Sequence, residues 1–413
     1  MRRALAEKER NARPAAIAES NAAAVDRTVT EEIRRLARAA ATRCRTAIHD
    51  APPAGFAPVM ATGIVSRAAG LLGSDRLSGV LFALAAAVYA VWAGALLLRL
   101  VGRRGRPAGK PADPARVFGF FTFVAASDVL ATRLTGRPWA APALVALALP
   151  AWLLVSGRVV VTLRRAGPQA ASRRADGTWF LVVVGLQSLV LAAAGLSGTG
   201  LAHRGELVGW LVGLTLYGLV TAVVGRRLLR YGVAPRELTP VYWVSMGAGA
   251  ISVLAGCQVL PYDGPVLRGV SVVLLDLVWG WATLLLPVLV AAGLWRHGRH
   301  RVPLRPEPVW WTAVFPIGMY AVATAALGAA EHRTALASLG RAVAVCALVA
   351  WALTATGVFL RPFLSAGTRD NQDPIFFPGH RPGKGRLSQS TRKDRPCRYQ
   401  TTERCEGSRR APE

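Results

Sequence analysis

Acidic residues are scarce in this chain: 23 Asp and Glu stand against 50 Lys and Arg, for a formal charge of +27 over 413 residues. Histidine is scarcer still. His49, His203, His297, His300, His332 and His380 all fall outside or at the ends of the apolar segments, so no span offers an axial haem ligand. Cys44, Cys257, Cys346, Cys397 and Cys405 make no CxxC pair and no metal-ligand spacing. Three of these five lie in the two polar terminal segments, which argues against a disulfide framework. Also missing are HExxH, GxSxG and GxxxxGK[ST]; a zinc hydrolase, a serine hydrolase and an ATP-driven pump therefore lack their machinery. The chain reads as a protein that is not an enzyme and uses no cofactor and no metal.

What is abundant is apolar. The hydrophobic fraction is 53% and the mean hydropathy +0.35, carried by ten segments near the length that crosses a bilayer. They lie at 55–73, 77–101, 117–134, 139–163, 178–196, 206–229, 241–260, 268–295, 309–329 and 339–361. Basic residues crowd every second connection: Arg103, Arg104, Arg106, Lys110 and Arg116; Arg164, Arg165, Arg173 and Arg174; Arg226, Arg227, Arg230 and Arg236; Arg296, Arg299, Arg301 and Arg305. Positive loops stay on the cytoplasmic side. The expected fold is thus all-α and multi-pass in the cell (inner) membrane: ten transmembrane helices as five hairpins, both termini cytoplasmic. Topology and anionic lipid account for the charge without nucleic acid. Residues 1–50 are expected to be a cytoplasmic extension with no cleavable leader, containing either an amphipathic helix on the membrane surface or a solvated segment. The membrane domain covers 51–361. Residues 362–413, with eleven Lys/Arg and six Asp/Glu among Pro, Gly and Ser, read as a basic disordered tail.

The helices are of two kinds. Even-numbered segments are Leu, Ala and Val; odd-numbered segments carry Pro58 and Arg67, Asp128, Gln187 and Ser188, Gly247 and Gly249, and Pro316. Polar or helix-breaking residues at membrane depth face protein or a water-filled cavity. Odd helices should form an inner ring around a central pore and even helices an outer, lipid-facing ring. Arg67 lies 12 residues beyond Gly55 and Asp128 lies 11 beyond Val117, so at ~1.5 Å per residue both sit roughly 17 Å deep. Two readings are open for them: a buried ion pair locking helices 1 and 3, or an anion-attracting Arg67 with Asp128 as a proton-coupling site. Gly63, Gly185, Gly247, Gly249 and Gly318 either widen a lumen or seat close helix contacts. Thr62, Gln187, Ser188 and Ser245 are either donors to an anion or helix–helix hydrogen bonds. Asp276, on an even helix, has no evident role.

Five stretches together resemble the tellurite-resistance and dicarboxylate transporter family, which includes the plant slow anion channels: PPAGFAPVMATGIVS (52–66), DPARVFGFFTFVAASDVLATRL (113–134), DGTWFLVVVGLQS (176–188), LTPVYWVSMGAGAISVLAG (238–256) and PLRPEPVWWTAVFPIGMYAVA (303–323). The resemblance spans all five odd helices. It implies a ten-helix fold with a pore lined by the odd helices, a homotrimer with one pore per subunit, and movement of small anions or organic acids without a nucleotide. It also implies that Phe315, in the WWxxxFP pattern, is a plug in the pore, and that helices bend at Pro58 and Pro316. On residues alone, Phe315 is ordinary packing.

The expected function is passage of small anions (C4-dicarboxylate, sulfite, nitrate, chloride or tellurite class) through a pore gated by a phenylalanine. The rivals are a proton-coupled dicarboxylate carrier dependent on Asp128, and a membrane sensor or scaffold without transport.

Overall fold

The computed structural model describes residues 53–102, 114–196, 201–259 and 265–364, together with Arg35. The expected N-terminal extension and basic tail lie outside the described residues, apart from Arg35 and 362–364. The principal helices are α1 (Ala57–Leu71), α2 (Asp75–Gly102), α3 (Phe121–Ala131), α4 (Ala140–Ala166), α5 (Leu181–Ala194), α6 (Leu201–Tyr231), α7 (Val244–Val259), α8 (Pro265–Leu294), α9 (Trp311–Ala330) and α10 (Thr334–Leu364). Among the described residues, nine helical segments are long and apolar enough to cross a membrane.

The third segment is the exception, and it corrects the expected continuous span over 117–134. A short helix, Pro114–Phe118, stops at a turn through Gly119 and Phe120, and α3 then runs for only 11 residues. Its side chains are all buried, so protein surrounds the break. That is where irregular backbone at membrane depth is tolerated.

The odd helices share a way of starting. Single-turn helices at Pro53–Phe56, Gly177–Phe180, Pro240–Trp243 and Pro308–Trp310 lead directly into α1, α5, α7 and α9, and the Pro114 helix precedes α3. A helix-starting proline lacks only an N–H that would be unpaired anyway. Where proline is absent, the Asp176 carboxylate accepts from the Thr178 amide at 3.0 Å and fills the same need. Each turn ends in an aromatic residue: Phe56, Phe118, Phe180, Trp243 and Trp310. This is the fivefold repeat that the helices themselves conceal. Pro58, expected to bend a helix, is the second residue of α1 and starts it instead; Pro316 does lie inside α9.

The inner ring closes. Helix α1 packs on α3, α3 on α5, α5 on α7, α7 on α9, and α9 back on α1. Each even helix lies against its own hairpin partner and the next odd helix, with α10 bridging α9 and α1. Burial follows: 78–89% of the residues in the apolar windows of α1, α5, α7 and α9 are buried, against 11–28% in the five even helices. The even helices are 27–31 residues long, or ~40–47 Å at 1.5 Å per residue, longer than the ~30 Å hydrocarbon layer. They display Val91, Leu154, Leu219, Leu277 and Leu353, each more than 60% exposed, to the surroundings. An apolar exterior of that extent belongs in lipid.

Glycines at the ring contacts set its tightness. A Cβ on Gly63 would lie 2.6 Å from Val129 of α3, one on Gly247 would lie 2.9 Å from the Pro316 ring of α9, and one on Gly318 would lie 3.0 Å from Ile64 of α1. Gly185 faces Trp152 and Phe121, and Gly249 faces Tyr217 and Ala282. All five seat neighbouring helices.

Candidate functional site

Two faces of the ring need distinguishing: the arginine-rich face, where the odd helices begin, and the hairpin face, where they end. Between them the interior is nearly all apolar. Phe315, one turn into α9, is 1% exposed, and Val314, Met319 and Tyr320 around it in sequence are equally enclosed. A ring so fully covered leaves no water-sized gap at its side. Its neighbour Pro316 has no N–H to return to the carbonyl one turn earlier, and Gly247 on α7 gives that proline room.

The polar candidates sort by direction. Thr62 accepts a hydrogen bond from the Trp351 indole of α10 at 3.0 Å, and Gln187 donates to the Trp210 carbonyl of α6 at 3.2 Å. Both are therefore engaged with outer helices. Ser245 donates to the Tyr242 carbonyl at 2.7 Å within its own helix entry. Ser188 donates to Asp128 Oδ2 at 2.7 Å and joins α5 to α3; it also reaches the Gly185 carbonyl at 3.0 Å. Asp128 is 0% exposed, and its Oδ1 has no hydrogen-bond partner.

The ion pair between Arg67 and Asp128, one of the two readings of these residues, is not formed. Asp128 is satisfied sideways by Ser188, and Arg67 makes no hydrogen bond or ion pair among the described residues. Arg67 is half-buried in an otherwise buried helix. The charged group whose field it feels is a second guanidinium, Arg133, just beyond α3. Arg133 is held by a hydrogen bond to Ser78 Oγ at 2.9 Å and by the Phe82 ring, 5.5 Å from its centroid. Ser66, beside Arg67, donates to the Ser78 carbonyl at 2.8 Å, which ties α1 to the start of α2. At the hairpin end of the ring Arg67 and Arg133 are thus close enough to feel each other's charge, and among the described residues no carboxylate pairs with either. Sequence reading passed over Arg133; its signal was position, five residues after Asp128 at the end of an inner helix.

Asp276, the charge without a role, is explained from 57 residues away. Arg333, between α9 and α10, donates to both its oxygens at 2.9 and 2.8 Å and pairs with Glu331 at 2.9 Å. A bidentate fork of this kind is planar and directional, and it pins α8 to the end of the Phe315 helix. Burial and the Asp276 charge push the Glu331 carboxyl above its ordinary 4.5, against the pull of Arg333. A carboxyl with a raised folded value keeps its proton better folded than unfolded, so its contribution to stability grows as pH falls toward 4.5 and is lost as pH rises. Glu331→Gln should remove that slope. Melting curves in detergent from neutral pH down to about 4.5 test it: wild type should gain on the variant as the pH falls, and parallel curves would contradict the assignment.

Residues 50–359 match the profile of a family described as voltage-dependent anion channel. Two membrane proteins described as uncharacterized, from Mycobacterium tuberculosis strains CDC 1551 / Oshkosh and H37Rv, are each 44% identical to the chain over 147 residues, which is 34% of this chain and 73% of theirs.

Proposed function

The chain belongs to the voltage-dependent anion channel family, and from that premise we propose that it conducts small inorganic or organic anions along the axis of its five-helix ring, with Phe315 as the closing plug. In this reading all ten segments cross the cell membrane, the third as the broken pair Pro114–Phe118 and α3, the arginine-rich face is cytoplasmic, and the structure is the closed state. The observation that carries the reading is the ring itself: five polar-bearing helices packed in a cycle, one of them holding a fully buried phenylalanine beside a proline. The pair Arg67 and Arg133 then marks the outer mouth, where a positive field raises the local concentration of anions. Efflux of a monovalent anion is favoured by a negative-inside potential, by roughly 2.3 kcal/mol per 100 mV. The substrate class is C4-dicarboxylate, sulfite, nitrate, chloride or tellurite. Assembly as a homotrimer, one pore per copy, follows from the resemblance and is tested by the mass of the detergent-solubilised protein.

Anion flux from liposomes containing the purified protein, with chloride, nitrate, sulfite and malate in turn, is the direct test. Leakage above protein-free vesicles that is selective for anions over potassium supports the channel; folded protein without any anion flux, in wild type and in plug variants alike, overturns it.

A proton-coupled carrier is favoured by one observation, the fully buried Asp128 with a single hydroxyl partner and an unpaired oxygen. Under that reading Asp128→Asn abolishes pH-driven malate uptake. Under the channel reading the amide keeps the Ser188 contact, and flux stays within about threefold of wild type, a change worth less than ~1 kcal/mol.

A further inference from the structure

A second concavity lies away from the ring axis, on the arginine-rich face. It is a small half-open crevice between the entry turn of α7, the last turns of α8 and the entry turn of α9, walled by Trp243, Leu289, Gly293, Arg296, His297 and Trp310. The backbone there is unusual: Trp295–Arg299 is a π-helical turn, a widened form that is rare and often found at functional sites. It carries the two basic residues of the crevice, Arg296 and His297. One end of the Arg296 guanidinium donates to the Leu238 carbonyl, while its Nε–H is buried with no acceptor. The acid whose field reaches it, Glu307, is beyond ion-pair distance. The His297 Nδ1 is 2.7 Å from the Val302 carbonyl. A carbonyl only accepts, so Nδ1 carries the hydrogen, and Nε2 donates to an anion when the ring is protonated.

A half-buried guanidinium with an unsatisfied Nε–H, beside an imidazole, calls for an anion with several acceptor oxygens. The remaining wall is not built for a free ion. Trp243, Leu289 and Trp310 form an apolar side, and the α8 surface next to it exposes Val290 at 42% and Leu294 at 69%, so the crevice opens toward the lipid side of the helix. Arg299, Arg301 and Arg305 follow directly in the chain. A basic pocket between helices on the cytoplasmic side meets the anionic leaflet.

We propose that this crevice is a binding site for the phosphodiester head group of an anionic phospholipid, with Arg296 and His297 on the phosphate and the Trp243–Leu289–Trp310 wall against the glycerol and first acyl carbons. The proposal rests on the orientation read from the basic connections and is independent of anion conduction. Because the site joins the starts of α7 and α9, an occupied crevice clamps the helix that carries Phe315 to its neighbour.

The test uses the full-length protein in detergent and counts bound lipid by native mass spectrometry, comparing phosphatidylglycerol with phosphatidylcholine of the same chains. Wild type should prefer phosphatidylglycerol by about fivefold, the scale of one basic residue at a membrane surface. Arg296→Gln should bring the preference to about one. Gly293→Leu leaves the charge in place and fills the crevice, since a Cβ there meets nothing within 4 Å; it should reduce the binding of both lipids, and it keeps the test decisive if Arg296→Gln fails to fold. Equal binding of the two lipids by wild type overturns the proposal, as does an unchanged preference in both variants. Full displacement of phosphatidylglycerol by millimolar inorganic phosphate would also overturn it, because the site would then hold a free anion.

Discussion

Replacing Phe315 with alanine is expected to raise anion flux by about tenfold or more, the change that follows from removing ~1.4 kcal/mol of barrier at a dewetted constriction. The ring is 1% exposed, so its deletion opens a void inside the helix ring. That void is next to Pro316, where the helix lacks a hydrogen bond and yields most easily. Phe121→Ala is the matched control: it is equally buried, on an inner helix that does not adjoin α9 in the ring, and packs against Phe118 at 6.3 Å between ring centroids. Truncating a buried phenylalanine in a protein core costs ~3–5 kcal/mol of stability. Both variants should therefore lose thermal stability, and only Phe315→Ala should gain flux. Equal fluxes from the two would make Phe315 ordinary packing and remove the plug from the proposed function.

The second large effect is expected at Arg67. A unit charge ~5 Å from a passing anion contributes roughly 0.8 kcal/mol at a dielectric constant of 80 and ~3.3 kcal/mol at 20, so its removal should slow a monovalent anion by about tenfold. The effect should be roughly squared for a divalent anion, because the interaction scales with the product of charges. Arg67→Gln measured with chloride and with malate or sulfate separates this from structural damage. A misfolded or narrowed pore slows every anion alike; a lost field penalises the divalent ion more. Arg67→Lys should restore most of the flux, since Arg67 has no geometric partner to satisfy among the described residues and only the charge matters. If chloride and sulfate slow equally in Arg67→Gln, Arg67 is not an electrostatic element of the path.

Much of the architecture was legible because lipid is an undemanding solvent. A helix facing hydrocarbon needs only Leu, Ala and Val, and a helix facing protein is free to carry Asp128, Gln187 or Pro316, so inner and outer helices separate by composition alone. Boundaries held to a few residues for the even helices, whose ends are marked by charge. The break in the third segment was not legible. Gly119 there looks like any glycine in an apolar run, and only the burial around it explains why an open turn is tolerated. The entry turns were hidden for a related reason: the repeat consists of a proline or glycine followed a few positions later by an aromatic residue, too short to register as identity.

Side-chain partners were harder to read than helices. Arg67 and Asp128 sit at comparable expected depths with opposite charge, which makes a pair natural; the partner chosen was Ser188, from a helix that depth along the chain does not bring into view. Asp276 took its partner from a turn two segments later. Thr62 and Gln187 were legible as polar residues on inner helices, but a sequence of this kind does not say toward which side of the ring they turn, and Trp351 and Trp210 decided it. Phe315 was singled out by the resemblance, since its composition and neighbours are those of any buried phenylalanine.

The cycle of inner helices also has a consequence for how the protein is made. Four of its five contacts join successive hairpins and can form as soon as each hairpin enters the bilayer, but the fifth joins α9 to α1, whose facing segments end at Leu71 and begin at Trp311. At roughly 5–20 residues per second, α1 waits on the order of ten to fifty seconds with one flank, Ile64 included, lacking its final neighbour. The nascent protein is for that interval an open arc with two raw edges, and α9 and α10 act as its clasp. A chain stopped after α8 would keep most of its helices and remain unclosed, a substrate for membrane proteases and not a smaller channel.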